Sequence, residues 1–212
     1  MKIESVAKKD NRNVIINFDD NSHLIINYEV FLKSGLKKGM NLTSDRFSFL
    51  VEENEKHKIK TEAVNYLAKR IHSEKELRIK LSRKKHKPEL INEVVEDLKS
   101  RGLVDDYKFS LIFADEKIRL KLWGEKKIKA ELIKRGISND IISGVIEEKF
   151  PEEERIQNAI ELAEKKIKSL ANKKYEKRVL AEKIYSFLAS KGYDYQVSRK
   201  VVEEILNENF IE

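Results

Sequence analysis

The 212-residue chain has no cysteine, two prolines, seven glycines and one tryptophan. Without cysteine there are no disulfides and no thiolate metal sites, which suits a reducing compartment. So little glycine and proline argues against a β-sandwich or a glycine-rich nucleotide fold. Long apolar runs are missing too. Met1 to Asp10 lacks the unbroken apolar core of a signal peptide, and no stretch nears the roughly twenty apolar residues that a membrane span needs. A soluble, cytoplasmic protein is expected.

What the chain has in quantity is charge. Asp, Glu, Lys and Arg make up 38% of it, while 40% hydrophobic residues suffice for real cores, so solvated helices should dominate. The formal net charge of +7 suits a polyanionic partner. Acids and bases are nevertheless interleaved almost everywhere, as on helix faces laced with ion pairs.

One apolar pattern recurs. Leu77, Leu81, Leu90, Ile91, Val94 and Val95, shifted by 51 positions, fall on Ile128, Leu132, Ile141, Ile142, Val145 and Ile146. Ile184, Leu188, Val197, Val201 and Val202 fill the same columns a third time. The punctuation recurs with the core: Gly136 and Gly192 share a column just past a second helix, and Ser138 and Asp194 share an N-cap column before a third. In the first copy, Ser73 with Glu76 has capping-box spacing, Pro88 suits a first helical turn and Gly102 a helix stop. Ala63, Val64, Leu67 and Ala68 read as the stripe of its first helix. In the second, Asp105 and Asp106 should cap a helix with Phe109, Ile112 and Phe113 on its apolar face. In the third, Pro151 and Glu152 to Glu154 mark an acidic helix start that suits the helix dipole, and Lys173, Lys174 and Arg178 make a basic loop.

The first forty residues differ. Val14, Ile16 and Phe18 alternate with Ile15 and Asn17, Asp19 to Ser22 break the run, and Leu24, Ile26 and Tyr28 alternate again, which is a hairpin pattern. Ile3 to Lys8 fits a third strand. Glu29 to Leu36 reads as a short helix stopped near Gly35, and Thr43 or Ser44 as the cap of a longer one carrying Phe47, Leu50 and Val51. Residues 51–60 are either its exposed continuation or a linker. The fold class expected is therefore mainly α: tandem three-helix repeats in an elongated, curved array behind a small N-terminal β-hairpin cap. The division is 1–57 for the β and helix segment, then repeats at 58–106, 107–151 and 152–212.

Catalytic sets are not evident. His23, His57, His72 and His86 lack metal-ligand spacing and are expected to be exposed, and Gly35 to Gly39 lacks the Lys-Ser/Thr of a phosphate loop. No cofactor, metal or enzyme activity is expected. A helix-turn-helix reading meets an obstacle in Pro88-Glu89, Asn139-Asp140 and Asp194, which put carboxylates where groove contacts would form. Basic residues gather on the second helices instead: Lys75 with Lys126, Arg78 with Lys129, and Lys84, Arg135 and Lys191 share columns, which would form a basic stripe unless they pair internally. Trp123, with Leu120 and Leu122, either anchors a partner or fills an inter-helix gap.

Tyr66-Leu-Ala-Lys-Arg70, Ser73-Glu-Lys-Glu-Leu77, Gly102-Leu-Val-Asp-Asp106 with Phe109, then Arg119, Gly124, Ile128, Glu131-Leu132 and Gly136-Ile137 resemble the RecX family of recombination regulators. The chain departs from the family pattern at Gly124-Glu125, where many members have Gly-Pro, and at Ser110, where alanine is common. The resemblance implies a role in DNA recombination, repair and the SOS response. It implies a monomer that binds the RecA filament on single-stranded DNA and hinders its growth, ATPase and strand exchange. On that basis Arg70, Arg78, Arg119, Lys126, Lys129 and Arg135 are the candidate surface for RecA or DNA. A helical-repeat DNA-binding protein or adaptor acting without RecA is the alternative.

Overall fold

The computed structural model describes residues 1–170 and 175–208. Among these lie three strands and ten helices, and the contacts divide them into two compact units. The first is Met1–His72 with Glu76–Val104; the second is Ser73–Lys75 with Asp105–Glu212.

In the first unit, β1 (Ile3–Lys8), β2 (Asn13–Phe18) and β3 (His23–Asn27) form an antiparallel sheet in the order β1-β2-β3. Val6 pairs with Ile16 and Val14 with Ile26. The period of two sends Val14, Ile16 and Phe18 to one face, where they are buried with Ile3 and Ile26. Strand β3 ends a residue earlier than the alternation suggests. Asn27 caps α1 (Tyr28–Ser34) by accepting from Glu29 N–H, leaving Tyr28 on the surface, and Gly35 closes α1 at φ 68°.

Thr43 caps α2 (Ser44–Leu67), accepting from Arg46 N–H. The charged stretch 51–60 is thus helix, not linker, and α2 runs unbroken through residue 57. Its two halves serve two cores. Leu50 is buried with the sheet, while Ile59 and Ala63 are buried against α3 (Glu74–Ser82) and α4 (Pro88–Ser100). Asn54, between these halves, accepts from Asn27 N–H at 2.8 Å and so ties the strand end to the helix. The stripe expected from Val64 and Ala68 is displaced: Val64 is 44% exposed, and the buried face follows Ile59 and Ala63, with Tyr66 and Leu67 packed beside them. Four-residue steps from Ile59 set that face, and Val64 lies off it. On α4, Leu90, Ile91, Val94, Val95 and Leu98 are all buried, each burial contributing roughly 1.5–3 kcal/mol, and Gly102 follows at φ 67°.

The second unit holds α5 (Asp106–Lys121), α6 (Glu125–Lys134), α7 (Asn139–Lys149), α8 (Glu152–Leu170), α9 (Lys177–Lys191) and α10 (Tyr195–Glu208). Asp105 caps α5 by accepting from Lys108 N–H, and Ser138 caps α7 by accepting from Ile141 N–H. Asp194 accepts from Val197 N–H at the start of α10. On α5 the buried residues are Phe109, Ser110, Phe113 and Ala114; Ile112, expected inside, is 44% exposed because it steps off that face. Ser110 fits because its hydroxyl donates to Asp106 O at 2.6 Å. Helices α8, α9 and α10 share a core of Ala159, Leu162, Ala163, Ile184, Leu188, Val197, Val201 and Val202. Of the basic loop expected before α9, Lys173 and Lys174 lie outside the described residues.

The two three-helix sets of this unit meet backbone to backbone. Gly124 N–H donates to Lys191 O at 2.8 Å, and Lys126 N–H to Gly192 O at 3.0 Å. Lys127 Nζ donates to Ser190 O, and the Tyr193 hydroxyl to Leu122 O. The free amides at the start of α6 thereby satisfy the last carbonyls of α9. Within the same unit, Ser73 Oγ donates to Arg135 O and Lys75 Nζ to Lys134 O, which serves the end of α6 in the same way. Such approach leaves no room for side chains: a Cβ on Gly192 would sit 2.4 Å from Lys127 N, and one on Gly124 2.6 Å from Gly192 C.

Gly102 and Gly192 both have positive φ, but only Gly192 is crowded. Gly102→Ala should cost about 1 kcal/mol, the strain alone. Gly192→Ala should cost about 3 kcal/mol or more, since α6 must also be pushed away. Urea denaturation of the two variants measures the difference, and equal losses would contradict the docking account.

Candidate partner-binding surface

The six candidate cations fall into two groups once their partners are counted. Arg70 Nη1 donates to Glu76 at 2.9 Å and to Ile71 O. Arg78 reaches from α3 to α4, donating to Asn92 Oδ1 at 2.6 Å and Glu96 Oε1 at 2.8 Å. Lys129 meets Glu125 at 2.5 Å one turn back along α6. Arg135 donates to Glu131 at 2.6 Å and lies 4.5 Å from the centre of the Phe113 ring. These four spend much of their charge inside the protein. An exposed pair of this kind contributes about 0.2–1 kcal/mol. Contacts with the ring face and with two acceptors at once hold Arg135 and Arg78 more firmly.

Arg119 and Lys126 stand apart. Both are exposed, and neither forms a salt bridge among the described residues. Arg119 borders a cavity of about 390 Å³ with Asp115, Glu148, Lys149 and Glu154, where Lys149 already bridges Asp115 and Glu148. Lys126 borders a cavity of about 700 Å³ against α9 and α10. Arg70 and Arg78 belong to the first unit and the other four to the second.

Trp123 is a gap filler with a charged cover. Its ring meets Phe113 edge-on at 6.4 Å, and the ammonium groups of Lys121 and Lys127 lie 5.4 and 4.9 Å from its centre.

Two histidines expected at the surface are enclosed. His72 is buried: Nδ1 faces Arg70 O at 2.9 Å and must donate, so Nε2 accepts from Lys80 Nζ at 2.7 Å. Burial is the main cause that holds its pKa below the usual 6.5, with the nearby Arg70 and Lys80 charges adding to it. His86 lies between two carboxylates of α2, 2.6 Å from Glu55 and 3.1 Å from Glu62. Burial lowers its pKa, but the hydrogen bonds and charges of Glu55 and Glu62 outweigh burial and raise it above 6.5. Sequence spacing could not show either site, because the side-chain partners, Lys80 for His72 and Glu55 and Glu62 for His86, lie 8, 31 and 24 positions away. Both ring nitrogens of His86 face carboxylates of α2. Among the described residues no group of three or more His, Cys, Asp or Glu is placed to hold one.

The repeats have counterparts in known proteins. Residues 60–98, 105–146 and 152–202 match, in turn, the first, second and third three-helix domains of RecX. A regulatory protein RecX of Clostridium perfringens is 31% identical over 207 residues, covering 98% of this chain and 96% of its own. That of Clostridium acetobutylicum is 32% identical over 209 residues, with the same coverage. The chain belongs to the RecX family. A crystal structure of regulatory protein RecX has the same fold, with a TM-score of 0.80 at 21% identity over 95% of this chain and 98% of that one. RecX from Lactobacillus salivarius gives 0.65 at 24% over 72% and 97%. The RecX relatives are named regulatory proteins, and no helix among the described residues of this member is long and apolar enough to cross a membrane.

The His86 clasp makes a signed prediction. A raised histidine pKa stabilises the fold fully below the unfolded value near 6.5, and the contribution is lost as pH rises through the folded pKa. His72, with its lowered pKa, acts in the opposite sense, so the comparison must isolate one residue. The stability gap between wild type and His86→Gln should be widest below pH 6.5 and narrow on the alkaline side. It should narrow again under strongly acid conditions, as Glu55, whose pKa is lowered, becomes protonated. Urea midpoints across pH check this, and a gap independent of pH would remove the clasp.

Proposed function

We propose that this RecX-family chain is a non-enzymatic, negative modulator of a RecA recombinase, acting in the cytoplasm as a monomer. It lies along the RecA filament on single-stranded DNA and hinders filament growth, ATP hydrolysis and strand exchange. The observation that carries this reading is the likeness to proteins named regulatory protein RecX over nearly the whole chain, with all three three-helix domains present.

The chemistry of the surface supports it. A filament groove offers a long, repetitive, charged face, which calls for many modest contacts over a wide area. Helices bearing both signs of charge, with +7 in excess, supply such contacts and favour approach to a polyanion. Of Arg70, Arg78, Arg119, Lys126, Lys129 and Arg135, the largest shares fall to Arg119 and Lys126, which give up no internal ion pair on binding. Arg78 and Arg135 must first release Glu96 and Glu131, so their removal is felt mainly in stability.

The test is the single-stranded-DNA-dependent ATPase of the cognate RecA, titrated with the chain while filament assembly is followed. Both should fall as the chain is added. The double variant Arg119→Ala/Lys126→Ala should need about three- to tenfold more protein for the same suppression and show weaker salt dependence. If wild type leaves both signals unchanged, the recombinase reading is wrong and an adaptor or DNA-binding role without RecA takes its place.

A further inference from the structure

The N-terminal sheet has one edge closed by a helix and one edge only half covered. Beside β3, Asn54 of α2 accepts from Asn27 N–H at 2.8 Å and donates to Ile25 O at 3.4 Å. Beside β1, residues 39–42 cover the first half: Ile3 N–H donates to Met40 O at 2.9 Å, and Gly39 N–H donates to Ile3 O at 2.8 Å. The cover stops there, because residues 37–40 form a turn in which Met40 N–H donates to Lys37 O at 3.2 Å. At the same place the pairing of β1 with β2 shifts register, between Ile3 and Ser5.

The second half of β1 stays open. Lys9 N–H donates to Asn13 O at 3.0 Å, so the backbone of Lys9, and of Ala7 two places before it, is turned toward β2. Backbone direction alternates along an antiparallel strand, and Val6 and Lys8 therefore direct their N–H and C=O outward. Neither has a backbone partner on that side among the described residues. Two donors and two acceptors thus stand at strand spacing on an uncovered edge, which is a template for another strand. Its surroundings are basic. Lys8, Lys9, Lys37 and Lys38 are exposed, and none forms a salt bridge among the described residues. Of the nearby acids, Asp10 accepts from Arg12 and Asn13 N–H and Asp19 accepts from Lys2 N–H, which leaves Glu4 as the free carboxylate. These charges select the occupant. Like-charged lysines oppose the pairing of two copies of β1 and favour an acidic strand. A phosphodiester chain is acidic too, but its backbone has no donors for the Val6 and Lys8 carbonyls.

We propose that the open half of β1 docks an extended, acidic segment of a protein partner, which adds to the sheet as a further strand. Its main chain exchanges hydrogen bonds with Val6 and Lys8, and its carboxylates meet Lys8, Lys9, Lys37 and Lys38. Val6 is partly buried against the core of the sheet, so an apolar side chain beside it extends that face. The site lies wholly within the first unit and does not require the recombinase reading.

Binding of the full chain to a fluorescent peptide of alternating glutamate and valine, without recombinase and at about 50 mM salt, tests the proposal. Two further peptides carry N-methyl groups, one on every glutamate amide and the other on every valine amide. They have equal charge, but only one set of amides can face the edge. One methylated peptide should therefore bind about tenfold more weakly than the parent, and the other should bind as the parent does. Lys8→Gln, which removes charge alone, should weaken binding about threefold. Lys8→Pro also removes the outward N–H, keeps the β1–β2 ladder, and should bind about threefold or more weakly again. The proposal is overturned if wild type does not bind the parent peptide, or if Lys8→Pro binds it as Lys8→Gln does. It also falls if both methylated peptides bind alike and oligothymidylate displaces them, which marks a site for any polyanion. Sedimentation showing dimers that Lys8→Pro dissolves would give the edge to a second copy and overturn it too. None of these outcomes bears on suppression of the recombinase ATPase, so the two readings fail separately.

Discussion

Helix ends must find hydrogen-bond partners, and in short helices they are a large share of the backbone. Helix α6 has ten residues, so most of its amides and carbonyls belong to a terminal turn. Much of the second unit answers this constraint. Asp105, Ser138 and Asp194 cap with side chains, and Gly136 and Gly192 turn the chain at positive φ so that the next amides fold back on the last turn. What the side chains leave is met by the neighbouring three-helix set, whose first amides reach the final carbonyls of α9. The contact also explains Gly124, which needs no unusual φ yet tolerates no Cβ.

The same constraint decides what was legible in the sequence. Caps and glycine stops are local, as are the apolar steps along one helix, so the strands, most helix boundaries and the repeated core of Leu77, Ile128, Ile184 and their columns could be read directly. The unreadable parts depend on partners far along the chain. Val64 and Ile112 satisfied a local apolar pattern, but the neighbouring helices selected a different face. Residues 51–60 look like a charged linker only when Ile59 and Asn54 are separated from the cores they enter. His72 and His86 are enclosed by side chains, Lys80 for the first and Glu55 and Glu62 for the second, that no spacing rule relates to them.

Charge shows the same division between composition and arrangement. The column positions of Arg78, Lys129 and Arg135 suggested one basic stripe, yet each meets a carboxylate. Mixed composition makes such pairing the default outcome on a helix face. Arg119 and Lys126 form no such pair among the described residues; beside them Lys149 holds Asp115 and Glu148, and Arg178 holds Glu182. Aromatic residues escaped notice for a related reason. Tyr185 and Tyr195 are ten positions apart on successive helices, and only the turn at Gly192 brings them face to face.

Helix α2 has 24 residues and therefore spans about 36 Å with no break between the sheet and the first three-helix set. Two cores grip one rod, one through Leu50 and the other through Ile59 and Ala63. The rod works as a strut. A push on the sheet is carried along hydrogen-bonded backbone to α3 and α4 instead of being absorbed by a hinge, so mechanically the β cap and the first helical set form a single lever.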